Sequence, residues 1–210
     1  MEEDFKYKIA LSYDMHADTF LKKYNRLDET QIKWLEKFIE LLGDKAKVID
    51  AGCGGGKDSV YLEKKGFEVY SIDLSRRMVT ETRNKTKLAE VIRADISNLP
   101  FRDESIDGIW CNTTLVHIND KVECLKEFRR VLKRNGILYL CIHNILSFWV
   151  LKLLFYSLTQ GSVWPMKYRD AYWWPATKNS IKRYLESLNF QILEEGSSFD
   201  KWVRFYARKD

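Results

Sequence analysis

The 210-residue chain is long enough for one compact domain with a modest appendage and short for two. Hydrophobic residues make up 45% and charged residues 31%, an ordinary globular balance that excludes a disordered chain. The net charge of +5 comes from lysines and arginines spread along the whole length with no block of like charge, which reads as a solvated surface and argues against a nucleic-acid partner.

The first residues, Met1-Glu2-Glu3-Asp4, are acidic where a secretory leader is basic and then apolar. Cys53, Cys111, Cys124 and Cys141 are scattered without a CxxC pair, so neither a metal site nor a disulfide framework is expected, and a cytoplasmic setting fits. An amphipathic helix is expected over 31–42, where Ile32, Leu35, Phe38, Ile39 and Leu42 form an apolar stripe. Strand-like runs at 47–51, 68–72, 90–94, 106–111 and 136–142 then alternate with helical patterns at 57–65, 76–86 and 121–132. Asn119 is the expected cap of the last of these helices and Asn135-Gly136 its expected stop. Such alternation predicts a parallel sheet covered by helices on both faces.

The apolar run over 145–158 is interrupted by Lys152 and is shorter than the ~18–20 residues that cross a bilayer, so stable membrane insertion is not expected. Within it, Phe148, Leu151, Leu154, Phe155 and Leu158 read as the buried face of a helix. Trp164, Tyr168 and Trp173 share no helical register with them and read as a lid or as core. A helix is expected over 179–188, followed by two runs, 190–194 and 202–207, paired antiparallel through Gly196-Ser197-Ser198.

The most informative segment is Asp50-Ala51-Gly52-Cys53-Gly54-Gly55-Gly56-Lys57-Asp58, where a buried strand meets a glycine-rich turn that opens a helix. Glycines at 52, 54 and 56 let a flat ligand lie on the backbone, because a Cβ would hold it away. A triphosphate loop needs a first glycine where Ala51 stands and a hydroxyl where Asp58 stands, so that ligand is disfavoured. A dinucleotide fingerprint misses its third glycine, and the carboxylate of Asp50 beside the turn suits a ligand with an ammonium better than a pyrophosphate. Asp73 ends the next strand at the separation where a carboxylate accepts both hydroxyls of a ribose, which fits nicotinamide and adenosyl ligands alike. Asp95-Ile96, after the third strand, pairs an acidic group for an exocyclic amine with an apolar cover for a base.

Taken in order, the glycine segment, Asp73, the stretch Ala94-Asp95-Ile96-Ser97-Asn98-Leu99-Pro100-Phe101 and the stretch from Phe128 to Leu138 resemble the class I, Rossmann-like S-adenosylmethionine-dependent methyltransferases over residues 45–142. The resemblance implies a three-layer α/β/α sandwich around a mostly parallel seven-stranded sheet with an antiparallel last strand. It implies a single methyltransferase domain: an N-terminal cap and helix over 1–44, a cofactor-binding core over 45–142, an aromatic insert or lid over 143–178, and a C-terminal helix and strands over 179–210. It further implies S-adenosylmethionine as cofactor, with Gly52, Cys53, Gly54 and Gly56 under its methionine part and Asp50 near its amino group. Asp73 and Leu74 are implied at the ribose, Asp95 and Ile96 at adenine, and Asn112 near the sulfonium. Tyr13, in a segment similar to the family's lid upstream of the first strand, is implied to close over the cofactor.

Transfer from a sulfonium is an in-line displacement in which the protein positions the acceptor and excludes water. A base helps only where the accepting atom holds its proton, and His117 beyond the fourth strand is the best placed, with Asn112 beside it. Cys111-Asn112-Thr113-Thr114 lacks the Pro-Pro and aromatic of nucleobase-amine methyltransferases, which disfavours nucleobase amines, and the aromatic-rich stretch from Phe148 to Trp174 points to a small, apolar or lipid-like acceptor. Two other functions fit parts of the pattern: a nicotinamide-dependent oxidoreductase, and a partner subunit that binds the cofactor without turnover. No metal is called for, and no oligomeric state is assigned.

Overall fold

Burial alternates along the central strands in a way that fixes both faces of a sheet. In the strand Leu132–His143, Ile137, Tyr139 and Cys141 join one cluster of buried side chains, while Leu138, Leu140 and Ile142 join another. Side chains of a strand point alternately to its two sides, so a strand that is apolar at every position is covered on both faces. The structure is a computed structural model that describes residues 2–146, 155, 166–168, 171–196 and 201–210.

The chain begins with three helices, α1 (Glu2–Met15), α2 (Ala17–Tyr24) and α3 (Glu29–Leu42). It then alternates β1 (Lys47–Ala51), α4 (Lys57–Lys64), β2 (Glu68–Asp73), α5 (Arg76–Lys85), β3 (Glu90–Arg93), β4 (Ile106–Asn112), a short 3-10 turn (Leu115–His117), α6 (Lys121–Val131) and β5 (Leu132–His143). A two-stranded hairpin, β6 (Met166–Tyr168) and β7 (Ala171–Trp173), precedes α7 (Lys178–Ser187), β8 (Phe190–Glu195) and β9 (Trp202–Lys209). The seven-stranded sheet has the order β3-β2-β1-β4-β5-β9-β8. Pairs from β3 through β5 are parallel, and β9 runs antiparallel to both of its neighbours. Strand order reverses between β1 and β4, and ligands of open α/β sheets bind in the crevice that such a reversal opens at the carboxyl ends.

One face carries Val48, Val69, Trp110 and Tyr139 against Leu35 and Phe38 of α3 and Leu62 of α4. The opposite face carries Ile49, Ile72, Ile109 and Leu140 against Leu125 and Phe128 of α6 and Ile181 and Leu185 of α7. On the first face the Trp110 and Tyr139 rings stack with centroids 3.8 Å apart and 10° between planes. Gly108 makes room for α3, since a Cβ there would stand 2.7 Å from Leu42 and 2.9 Å from Phe38.

Several expectations need correction. The helix expected from residue 31 begins at Glu29, because Asp28 accepts from the Gln31 amide at 2.8 Å and Gln31 reaches back to the Asp28 amide. The α6 cap is Asp120, not Asn119: its carboxylate takes the Glu123 amide at 3.0 Å. Asn135-Gly136 does not stop that helix, which ends at Val131 and passes directly into β5. Instead Asn135, at φ 62°, lies where the register to β4 shifts between Leu132 and Ile137. Phe155 is not buried but 70% exposed, while Phe148, Leu151, Leu154, Leu158 and Trp164 lie outside the described residues. Among the described residues no helix is long and apolar enough to cross a membrane.

Phe38 is fully buried between α3 and β4, and Phe38→Ala leaves a ring-sized hole. The variant is expected to lose about 3–5 kcal/mol of stability, read as a lowered urea midpoint.

Candidate functional site

The bend after β1 is shaped by three positive φ angles, at Gly52 (79°), Gly54 (52°) and Gly56 (79°). The amides of Gly52 and Cys53 both donate to the Ile72 carbonyl, at 2.8 and 2.9 Å, which ties the end of β1 to the end of β2. At Gly52 a Cβ would stand 2.1 Å from Thr114 Oγ1, so the bend and the turn after β4 touch only because side-chain atoms are missing. Gly56 serves a different purpose from the one expected. It faces Thr82 of α5, whose hydroxyl a Cβ would meet at 2.8 Å, and it does not line the cavity.

The cavity has a volume of about 790 Å³ and opens along the carboxyl ends of the parallel strands. Of the expected residues it gathers Tyr13, Gly52, Cys53, Gly54, Asp73, Leu74, Asp95, Ile96, Asn112 and His117 on its wall. Asp50 and Gly56 are not among its lining residues.

Asp73 ends β2 with its carboxylate anchored by the Gly54 amide and the Ser75 amide, each at 2.9 Å. Burial raises its pKa to about 6, against the pull of those amides. Asp95 accepts from the Ser97 amide at 2.8 Å and from Lys6 Nζ, on α1, at 2.9 Å. Burial and the Asp73 charge push the Cys53 thiol well up, so it lines the wall as a neutral group. α1 and α2 roof the site. Asp14 accepts from the Ser75 hydroxyl and from the Arg77 amide, and Phe20 lies over Gly54.

Asp50 is a correction. It points beneath the bend, 2% exposed, and accepts a hydrogen bond from Ser59, which is in turn bonded by Ser71. Burial and then the charge of Asp58 push its pKa well above the ordinary carboxylate range. Asp50 and Val48 lie on the side of β1 that α4 covers, where Ser59 of α4 meets the Asp50 carboxyl.

The carboxylate on the cavity wall is Asp58, in the first turn of α4 and only 6% exposed. Trp110 Nε1 donates to it at 2.9 Å, Asn112 Nδ2 at 3.1 Å and Lys57 Nζ at 3.1 Å. With its amide nitrogen so committed, Asn112 presents Oδ1 as a buried acceptor with no partner among the described residues. A buried carboxylate beside an unused acceptor, above a side-chain-free bend, fits a ligand that brings an ammonium. The sequence signal for Asp58 was its place directly after the bend, in the dipeptide Lys57-Asp58. Lys6 had no signal.

Beyond β4 and β5 the wall is made of Trp34, His117, His143, Lys201 and Trp202. His143 packs against Trp202 at 4.1 Å and is held down to about 3 by burial, Lys201 and His117. Among the described residues no group of three or more His, Cys, Asp and Glu could hold a metal ion.

Residues 49–140 match the family model described as a methyltransferase domain. That stretch is under half of the chain, and over it the chain is similar to methyltransferase domains. The chain is 32% identical over 131 residues to a malonyl-[acyl-carrier protein] O-methyltransferase of Pseudescherichia vulneris, covering 61% of this chain and 48% of that one. It is also 32% identical over 128 residues to a demethylmenaquinone methyltransferase of Thermotoga maritima, covering 57% and 56%. The chain thus spans about half the length of these curated relatives. Its fold is shared, at TM-score 0.76 and 15% identity over 100% of this chain and 90% of the other, with a Burkholderia thailandensis 1,6-didemethyltoxoflavin-N1-methyltransferase solved with its substrate and S-adenosylhomocysteine.

A diol that hydrogen-bonds Asp73 needs its carboxylate form, so binding favours proton release where the free group is protonated. S-adenosylhomocysteine affinity, by calorimetry, is expected to be flat above about pH 7 and to fall by up to roughly tenfold per unit below pH 6.

Proposed function

We propose that the chain is an S-adenosylmethionine-dependent methyltransferase acting on a small-molecule acceptor. The observation that carries this reading is the meeting, in one cavity at the sheet's reversal point, of the glycine bend, Asp73, Asp95-Ile96 and the Asp58–Asn112 pair. The cofactor supplies a methyl group already activated on a sulfonium. The chain's residues have to hold that charged ligand, orient the acceptor and keep water out.

In this reading Asp73, with Leu74 beside it, accepts the ribose hydroxyls, and Asp95 and Ile96 hold and cover adenine. Gly52, Cys53 and Gly54 lie under the methionine part. Asp58 and Asn112 Oδ1, in place of Asp50, accept the ammonium, and Lys57 is placed for the carboxylate. Tyr13 and Phe20 close the roof from α1 and α2. The relatives' names give acceptors as different as a malonyl group on a carrier protein and a demethylmenaquinone. Acceptor choice therefore falls to the wall beyond β4 and β5, where Trp34 and Trp202 suit an apolar or aromatic molecule.

Two measurements test this reading. S-adenosylhomocysteine is expected to raise the melting temperature and NAD is not; the opposite result sinks the proposal. Asp58→Asn is expected to weaken S-adenosylhomocysteine at least about tenfold, as loss of a charged hydrogen-bonding partner does. It should leave methylthioadenosine, which lacks the amino-acid part, within about twofold of the unsubstituted protein on the same estimate. Equal losses for both ligands would assign Asp58 to structure alone.

A further inference from the structure

Two rings from distant parts of the chain touch inside the cavity. Tyr13 on α1 and His117 in the turn after β4 are 104 residues apart, and the Tyr13 hydroxyl lies 2.8 Å from His117 Nε2. The rings meet edge to face with centroids 5.4 Å apart, and both residues line the cavity. Phe20 packs on Tyr13 at 5.1 Å and lies over Gly54, so the pair stands between the glycine bend and the wall beyond β4.

We propose that Tyr13 and His117 form a proton-accepting pair, so that the methyl acceptor is a nucleophile with a proton to lose, such as a ring N–H, a hydroxyl or a carbon acid, and not a carboxylate. This rests on the methyltransferase reading above. A carboxylate is already ionised near neutral pH and needs no such pair. In the step, the acceptor atom bonds to the methyl carbon while the carbon–sulfur bond breaks and its electron pair stays on sulfur, leaving a neutral thioether. The acceptor's proton passes to Tyr13 Oη as Tyr13 gives its own to His117 Nε2. The positive charge that leaves sulfur ends on the imidazolium.

The surroundings decide which group keeps the proton. Burial, the charge of Asp73 at the end of β2, and Tyr24 on α2 all oppose ionisation of Tyr13, which therefore acts as a relay and does not rest as a phenolate. His117 faces Tyr13 from α1 and His143 from β5. His143 is a poor base, since burial, the Lys201 charge just before β9, and His117 hold it down to about 3. Because Tyr13 belongs to α1, the relay is assembled only when that helix covers the cavity, and proton removal is thereby confined to the closed site.

The test uses the full chain labelled with 15N-histidine and saturated with S-adenosylhomocysteine. Long-range 15N–1H spectra are expected to show neutral His117 with its proton on Nδ1, leaving Nε2 to accept from Tyr13; a proton on Nε2 overturns the proposal. His117→Gln assigns the signal. In Tyr13→Phe the His117 titration midpoint is expected to rise by about half a pH unit or more, because a donor to the neutral ring is gone. An unmoved midpoint overturns the pair, and if this variant does not bind the ligand the tautomer of the unsubstituted protein decides.

Tritiated-methyl transfer into a cellular small-molecule extract gives the second readout. The label is expected to be stable to mild alkali and to drop about a hundredfold or more at pH 7 in either variant. The double variant should fall little further than the singles. Label released by alkali as methanol marks a carboxylate ester and overturns the proposal. If the ligand fails to bind the unsubstituted protein, the methyltransferase reading fails; if it binds and the His117 spectra contradict expectation, only the pair fails.

Discussion

Two amides converging on one carbonyl organise this protein. Gly52 and Cys53 both donate to Ile72 O, and one residue further on the Gly54 amide donates to Asp73. These bonds lock the end of β1 to the end of β2 and place a bare stretch of backbone beside a carboxylate. A side chain at Gly52 would collide with Thr114, so the same absence of Cβ lets the turn after β4 close on the bend from the other side. Everything later in the site, Asn112 and His117 included, hangs from that contact.

The parallel core was plain in the sequence because strands buried on both faces are short apolar runs, and their spacing by helices leaves one economical arrangement. What escaped was decided by tertiary contact. α1 hides its nature: Tyr7, Leu11 and Met15 recur every fourth residue and yet are exposed, while buried Ile9 and Ala10 lie on another side. The hairpin of β6 and β7 was hidden in a stretch read by aromatic content alone. The sequence announced an acidic residue at each end of the glycine bend, and only the fold shows that Asp50 lies beneath it while Asp58, in the first turn of α4, lies on the cavity wall. The carboxylate that would repel a pyrophosphate at the bend is thus Asp58, not Asp50.

The roof is held by polar contacts to the parts it covers. Lys6 reaches Asp95, Asp14 reaches Ser75 and Arg77, and Tyr13 reaches His117. Exposed ion pairs contribute on the order of 0–1 kcal/mol, and partly buried ones depend on how well their remaining bonds are met. Buried Ile9 and Ala10 and the Phe5 ring against Trp174 add apolar contact to the same roof. Through Lys6 the roof is tied directly to Asp95, a carboxylate of the cavity wall.

The reversed course of β9 has a consequence for diversification. By running between β5 and β8 against its neighbours, this strand brings its first residue, Trp202, level with His143 at the sheet's carboxyl edge. The glycine bend, Asp73 and Asp95 follow β1, β2 and β3, whereas His143, Lys201 and Trp202 come from the end of β5 and the start of β9. Changes at Lys201 and Trp202 can reshape that wall while the glycine bend, Asp73 and Asp95 stay as they are, a separation that lets one scaffold serve many chemistries.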